Sequence, residues 1–98
     1  MGREGKTNKR PSTTTKVQIT NELGLHARAA AIIAKIAQTA KSNIWIVKDC
    51  ETADASSILD ILALECTKGS WISLEIENPA DHHLLLQIQD CVESGFGE

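Results

Sequence analysis

The chain has no tyrosine, one phenylalanine (Phe96) and two tryptophans (Trp45 and Trp71) among 98 residues. With so few rings, a core has to be assembled from isoleucine, leucine, valine and alanine. At 42% hydrophobic content the length suits one small domain with a single core of two packed layers. No run of 18 apolar residues and no secretory leader can be found, so a membrane-spanning helix and export are not expected, and the protein reads as cytoplasmic with no membrane partner. Cysteine is scarce too. Cys50, Cys66 and Cys91 are odd in number and lack CxxC or other metal-ligand spacing, so they read as reduced thiols, two of them packing residues and Cys50 a loop residue.

Positive charge is lacking where it would matter for nucleic acid. The first sixteen residues hold Arg3, Lys6, Lys9, Arg10 and Lys16 against Glu4, so the net charge of -3 leaves the remainder at -7. An acidic body does not neutralise phosphate backbones, and no nucleic-acid partner is expected. Residues 1–14 are polar and without apolar periodicity, and read as a disordered basic tail ahead of a domain over 15–98.

What is present is a regular succession of short elements. Lys16 to Thr20 alternates as a half-buried strand with Val17 and Ile19 inward. A helix follows with Ala29, Ile32, Ile33, Ile36, Ala37 and Ala40 on one stripe, ending at Ser42-Asn43. Ile44-Trp45-Ile46-Val47 is strongly β-forming. The polar turn after it leaves room at Thr52-Ala53 for a short return strand at most. Ser57 before Ile58-Leu59-Asp60 is an N-cap pattern of the capping-box type. Ile72, Leu74 and Ile76 alternate with Trp71, Ser73 and Glu75 in the clearest strand, and the alternation is expected to leave Trp71, and Trp45 with it, on the face without helices. Asn78, Pro79 and Asp81 then open a last helix whose stripe is Leu84, Leu85, Ile88, Cys91 and Val92, with Gly95 capping its end. The order β-α-β-(β)-α-β-α predicts an α+β open-faced sandwich, a mostly antiparallel four-stranded sheet with three helices on one face.

One stretch carries chemistry. Gly24-Leu25-His26-Ala27-Arg28-Ala29-Ala30 sets an imidazole and a guanidinium around the first turn of a helix. The unpaired N–H groups and the positive end of the dipole favour an anion there. Such a place suits phosphate, with His26 as its carrier or its ligand. His82 and His83 are adjacent and point about 100° apart on a helix, poor geometry for a shared metal, and no metal or cofactor is expected. A hydrolase or metalloprotein built on the three histidines lacks a carboxylate, serine or cysteine partner at useful spacing.

Asn21-Glu22-Leu23-Gly24-Leu25-His26-Ala27-Arg28 closely resembles the active-site segment of HPr, the histidine-containing phosphocarrier of the phosphoenolpyruvate-dependent phosphotransferase system. The resemblance runs without a gap through Ala55-Ser56-Ser57-Ile58 and Lys68-Gly69 and covers about residues 16 to 98. The Asn-x-Leu-Gly-Leu-His start and the Ser94-Gly95-Phe96-Gly97-Glu98 end look more like the nitrogen-branch form, NPr, than the sugar-uptake form. It implies that His26 accepts a phosphoryl group on Nδ1 from phospho-enzyme I and passes it to an enzyme IIA. It implies further that Arg28 and the amides of Ala27, Arg28 and Ala29 stabilise the phosphate, and that the carrier is a monomer without turnover of its own. Ser57 matches the serine that an HPr kinase/phosphorylase modifies in some members, beside its plain role as helix cap. Ile58, Leu59 and Leu62 match the apolar patch that docks partners. The alternative is a regulatory module that keeps the fold and signals through phosphorylation at His26 or Ser57. The chief departure is Ala29, where the family usually has proline. Alanine restores an N–H that proline removes.

Overall fold

The computed structural model describes residues 13–98, and its first element is strand β1 (Thr14–Gln18). It begins at Thr14 rather than at Lys16, while Val17 and Ile19 both point inward as the alternation requires. Ile19 lies past the strand's end because its backbone bonds go to a different partner. Its N–H donates to Ser70 O at 2.8 Å and its carbonyl accepts from Gly69 at 2.7 Å. The expected tail falls outside the described residues as far as residue 12. Within the described part, the Thr13 carbonyl already accepts the Ile76 N–H at 2.9 Å.

After helix α1 (Ala27–Ala37) come β2 (Ile44–Lys48), β3 (Glu51–Asp54), helix α2 (Ile58–Ala63) and β4 (Trp71–Ile76). A 3-10 turn, Pro79–Asp81, leads into helix α3 (His82–Glu93), and a second one, Gly95–Gly97, follows it. The sheet order is β1-β4-β2-β3, and every neighbouring pair is antiparallel. The return strand is fuller than expected, pairing with β2 from Trp45 opposite Asp54 to Lys48 opposite Glu51. Asp49 takes the left-handed conformation (φ 55°) at the tight turn between them.

Register explains the core. Ile46 lies between Ala53 and Leu74, Ile44 opposite Ile76, and Val17 opposite Ile72, and all of these are buried. The three helices cover that face, α1 packing on α2 and α3, and α3 on β1 and β4. Trp71 stands on the other face and is 55% exposed, while Trp45 is half-buried with its Nε1–H donating to Glu77 at 2.8 Å. The result is the expected open-faced α+β sandwich, here wholly antiparallel.

Two helices depart from their expected detail. In α1 the fully buried residues include Ala30 and Ala34, whereas Ile32 and Ile36 are only partly covered. Alanine allows the helix axis to approach its neighbours closely, and the longer isoleucines fill the margins of the contact. The helix stops at Ala37, short of Ser42-Asn43. Asn78 caps the Pro79 turn as expected, its side chain accepting from Ala80 N at 2.9 Å. Asp81, however, is buried, and its carboxylate accepts the backbone N–H of Lys41 (2.9 Å) and of Ser42 (3.1 Å). It thus ties the start of α3 to the α1–β2 connection rather than simply meeting a dipole.

Candidate functional site

The loop before α1 is a turn closed in both directions. Gly24 N–H donates to Asn21 O (3.1 Å), and Asn21 Nδ2 donates to Gly24 O (2.8 Å). Gly24 has φ +64°, and a Cβ there would lie 2.2 Å from the carbonyl oxygen of Cys66, so glycine is required for both conformation and space. Leu25 then donates to that same carbonyl at 2.9 Å and buries its side chain. An ion pair between Glu22 and Lys68 ties the two loops again at the surface. The chain therefore leaves a pinned turn and enters α1 with His26 as its N-cap.

His26 caps with its ring rather than with a hydroxyl or carboxylate. Nδ1 accepts the backbone N–H of Arg28 at 3.2 Å and of Ala29 at 3.4 Å. On the ring's other edge, Nε2 is hydrogen-bonded to the side-chain carboxylate of Glu98. A carboxylate only accepts, so Nε2 carries the proton, and the unprotonated Nδ1 uses its lone pair to accept the two N–H groups. The ring is a neutral imidazole with its nucleophilic nitrogen at the positive end of a helix whose first turn has no acidic residue.

Glu98 was not among the residues that the sequence pointed to. Its Oε1 accepts from Asn21 Nδ2 at 3.2 Å, and Arg28 Nη1 lies 3.6 Å from its Oε2. The His26 hydrogen bond, foremost, holds this carboxyl below its ordinary value, helped by the Asn21 bond and the nearby Arg28 guanidinium, against an opposing effect of burial. The turn that delivers it is anchored by Phe96, which is buried with φ +58°. The left-handed backbone costs about 1–2 kcal/mol, and burying a phenylalanine returns about 1.5–3 kcal/mol, so the ring holds the turn in place.

The other expected residues are distributed as follows. Arg28 is 63% exposed along its side chain and reaches across to Glu98. Ala27 is exposed at the first helical position, and among the three expected amides those of Arg28 and Ala29 face Nδ1. Ser57 is the N-cap of α2, its Oγ accepting from Asp60 N at 3.2 Å. The capping box is not reciprocal, since the Asp60 carboxylate reaches the Asp54 N–H (3.5 Å) instead of Ser57. Leu59 is 78% and Ile58 39% exposed, Leu62 is half-buried, and Ile61 alone on that helix is fully in the core. Leu23, in the loop that carries His26, is a further exposed apolar side chain that periodicity could not single out. Burial pushes the thiols of Cys66 and Cys91 up from their ordinary value, as suits packing residues. His82 and His83 stand at the start of α3, and among the described residues no group of three or more His, Cys, Asp or Glu side chains is placed to hold a metal.

The family model described as the PTS HPr component phosphorylation site matches residues 13–94. The phosphocarrier protein HPr of Neisseria meningitidis is 32% identical over 82 residues, covering 84% of this chain and 92% of that protein. The phosphocarrier protein NPr of Escherichia coli K12 is 34% identical over 83 residues, with the same two shares covered. Among solved structures, HPr from Thermoanaerobacter tengcongensis superposes with a TM-score of 0.83 at 33% identity, covering 89% of this chain and 98% of the other.

Proposed function

Since the chain belongs to the HPr family, the phosphocarriers of the phosphotransferase system, we propose that His26 is its phosphoryl-accepting residue, taking the group on Nδ1 from phospho-enzyme I and passing it to an enzyme IIA. The single observation that carries this reading is the state of the ring. Nδ1 is unprotonated, its lone pair directed at two backbone N–H groups at the head of a helix. Phosphoryl transfer asks for little covalent help beyond positioning and charge stabilisation, and both can be met here. Once phosphate is on Nδ1, the amides that now face the nitrogen are placed to donate to its oxygens, and the Arg28 guanidinium is free to turn toward them.

The carrier needs no turnover of its own. Its partners approach the His26 end, and the exposed Leu59 and Ile58 with the half-buried Leu62 form an apolar contact surface on α2. Ser57 serves as the helix cap in this reading, its Oγ accepting the Asp60 N–H.

Incubation with enzyme I and phosphoenolpyruvate tests the proposal. Wild type is expected to take up an acid-labile, alkali-stable phosphate that moves on when an enzyme IIA is added, while His26→Ala takes up none. A wild type that stays unlabelled by its cognate enzyme I, or a label that survives in His26→Ala, overturns it.

A further inference from the structure

The first turn of α1 supplies no acidic group, yet His26 has a carboxylate on it, delivered from the far end of the described chain. Asn21 holds the other oxygen of that carboxylate at 3.2 Å, so Glu98 is fixed at both oxygens instead of moving in solvent. It meets the ring at Nε2, on the edge opposite the nitrogen that two amides address.

The consequence follows from the balance of charge in the transfer. The Nδ1 lone pair forms the new bond to phosphorus as the donor's bond to that phosphorus breaks, its electron pair leaving with the donor. Nδ1 has no proton to lose and Nε2 keeps its own. The ring therefore becomes a cation, its charge shared between the two nitrogens. Resting on the reading of His26 as phosphoryl acceptor, we propose that Glu98 is a positioning residue for that step: it holds the imidazole in the orientation and tautomer that present Nδ1, and then balances the cationic ring of the phosphorylated state. A carboxylate that orients a working imidazole through its other nitrogen is a general device of histidine chemistry.

The charged groups that face the ring are Glu98 from the C-terminal turn and Arg28 from α1, and they divide the work. Arg28 lies 3.6 Å from the same Oε2 and is mostly exposed, so it is able to leave Glu98 for the phosphoryl oxygens without disturbing the bond to Nε2. Repulsion between the carboxylate and the arriving phosphoryl group is the opposing effect. It is reduced because the two sit on opposite edges of the ring, with Arg28 close by.

The test uses the full chain as wild type, Glu98→Ala, Glu98→Gln and Glu98→Asp, with 15N-labelled histidine. In the unphosphorylated wild type, NMR is expected to show a single Nε2–H tautomer of His26 with a low-field ring proton. Glutamine still offers a carbonyl to Nε2–H but no charge. It should keep the tautomer while the equilibrium constant for phosphorylation by enzyme I falls roughly tenfold, as a charge-assisted hydrogen bond gives way to a neutral one about half as strong. Alanine should lose the low-field proton and fall at least as far, and aspartate should recover part of both. A Glu98→Ala protein with the wild-type ring signal and wild-type equilibrium, or one that is phosphorylated more fully than wild type, overturns the proposal. If wild type and Glu98→Ala are charged equally, this proposal alone falls; if wild type takes no phosphate at all, the carrier reading falls first.

Discussion

Gly24, Ala29 and Glu98 define what single residues do at this site. Gly24 is where the backbone of the His26 loop runs against the backbone of Cys66 and Thr67. Gly24→Ala should destabilise the protein by at least about 2 kcal/mol, the left-handed backbone and a rigid clash acting together. Urea unfolding measures this, and a change below about 0.5 kcal/mol would show that the loop moves freely. Ala29 matters for the backbone donor it supplies. Its N–H points at Nδ1 from 3.4 Å, and proline in its place has no N–H to give. Ala29→Pro should fold normally, since proline is tolerated in a first helical turn. It should hold its phosphate less well by about 1 kcal/mol, roughly fivefold in the phosphorylation equilibrium. An equilibrium unchanged from wild type would show that this amide does not reach the phosphate. His26, Arg28 and Ala29 were legible in the sequence because they are local to one another and to a helix start. Glu98 was not, because its place beside His26 depends on a turn that folds back across 72 positions of chain.

Elements were legible where one face is buried and the other wet. Strand β4 follows its alternation without exception from Trp71 to Ile76, and the cap of α2 was visible in Ser57 and Asp60. Where small residues decide the packing, hydropathy misleads. In the α1 stripe Ala29, Ile33 and Ala37 are buried as expected, but Ala30 and Ala34 are buried as well, while Ile32, Ile36 and Ala40 are only partly covered. Asp81 was legible as a first-turn acid and not as a buried one, because its partners, the Lys41 and Ser42 amides, belong to a distant connection. Asp81→Ala strands both of those N–H groups in the connection after α1 and should cost about 2–3 kcal/mol in unfolding free energy. Slow amide exchange at Lys41 and Ser42 should disappear along with it. A stability change within about 0.5 kcal/mol would mean that solvent satisfies those amides equally well.

For the whole molecule, the fold brings the N-terminus of α1 and the far C-terminal turn to one place. Among the described residues no helix is long and apolar enough to cross a membrane, and the open sheet face is left with Trp71 exposed. Closure of the C-terminal turn is pH-dependent in a defined direction. The Glu98 carboxyl is lowered in the folded protein, chiefly by its bond to His26, so its contribution is complete above the ordinary value of 4.5 and fades as the pH falls through the lowered one. The gap in thermal midpoint between wild type and Glu98→Gln should therefore be open at neutral pH and close in acid; a gap that widens as the pH falls would reverse the sign of the interaction. Above all of these stands the claim that Nδ1 of His26 carries the phosphoryl group. The most direct measurement is NMR of the 15N-histidine protein charged by enzyme I and phosphoenolpyruvate, read for coupling between phosphorus and a ring nitrogen. Coupling is expected at Nδ1 of His26, vanishing when an enzyme IIA is added. Coupling at Nε2, or phosphate on Ser57 with both ring nitrogens bare, would contradict it.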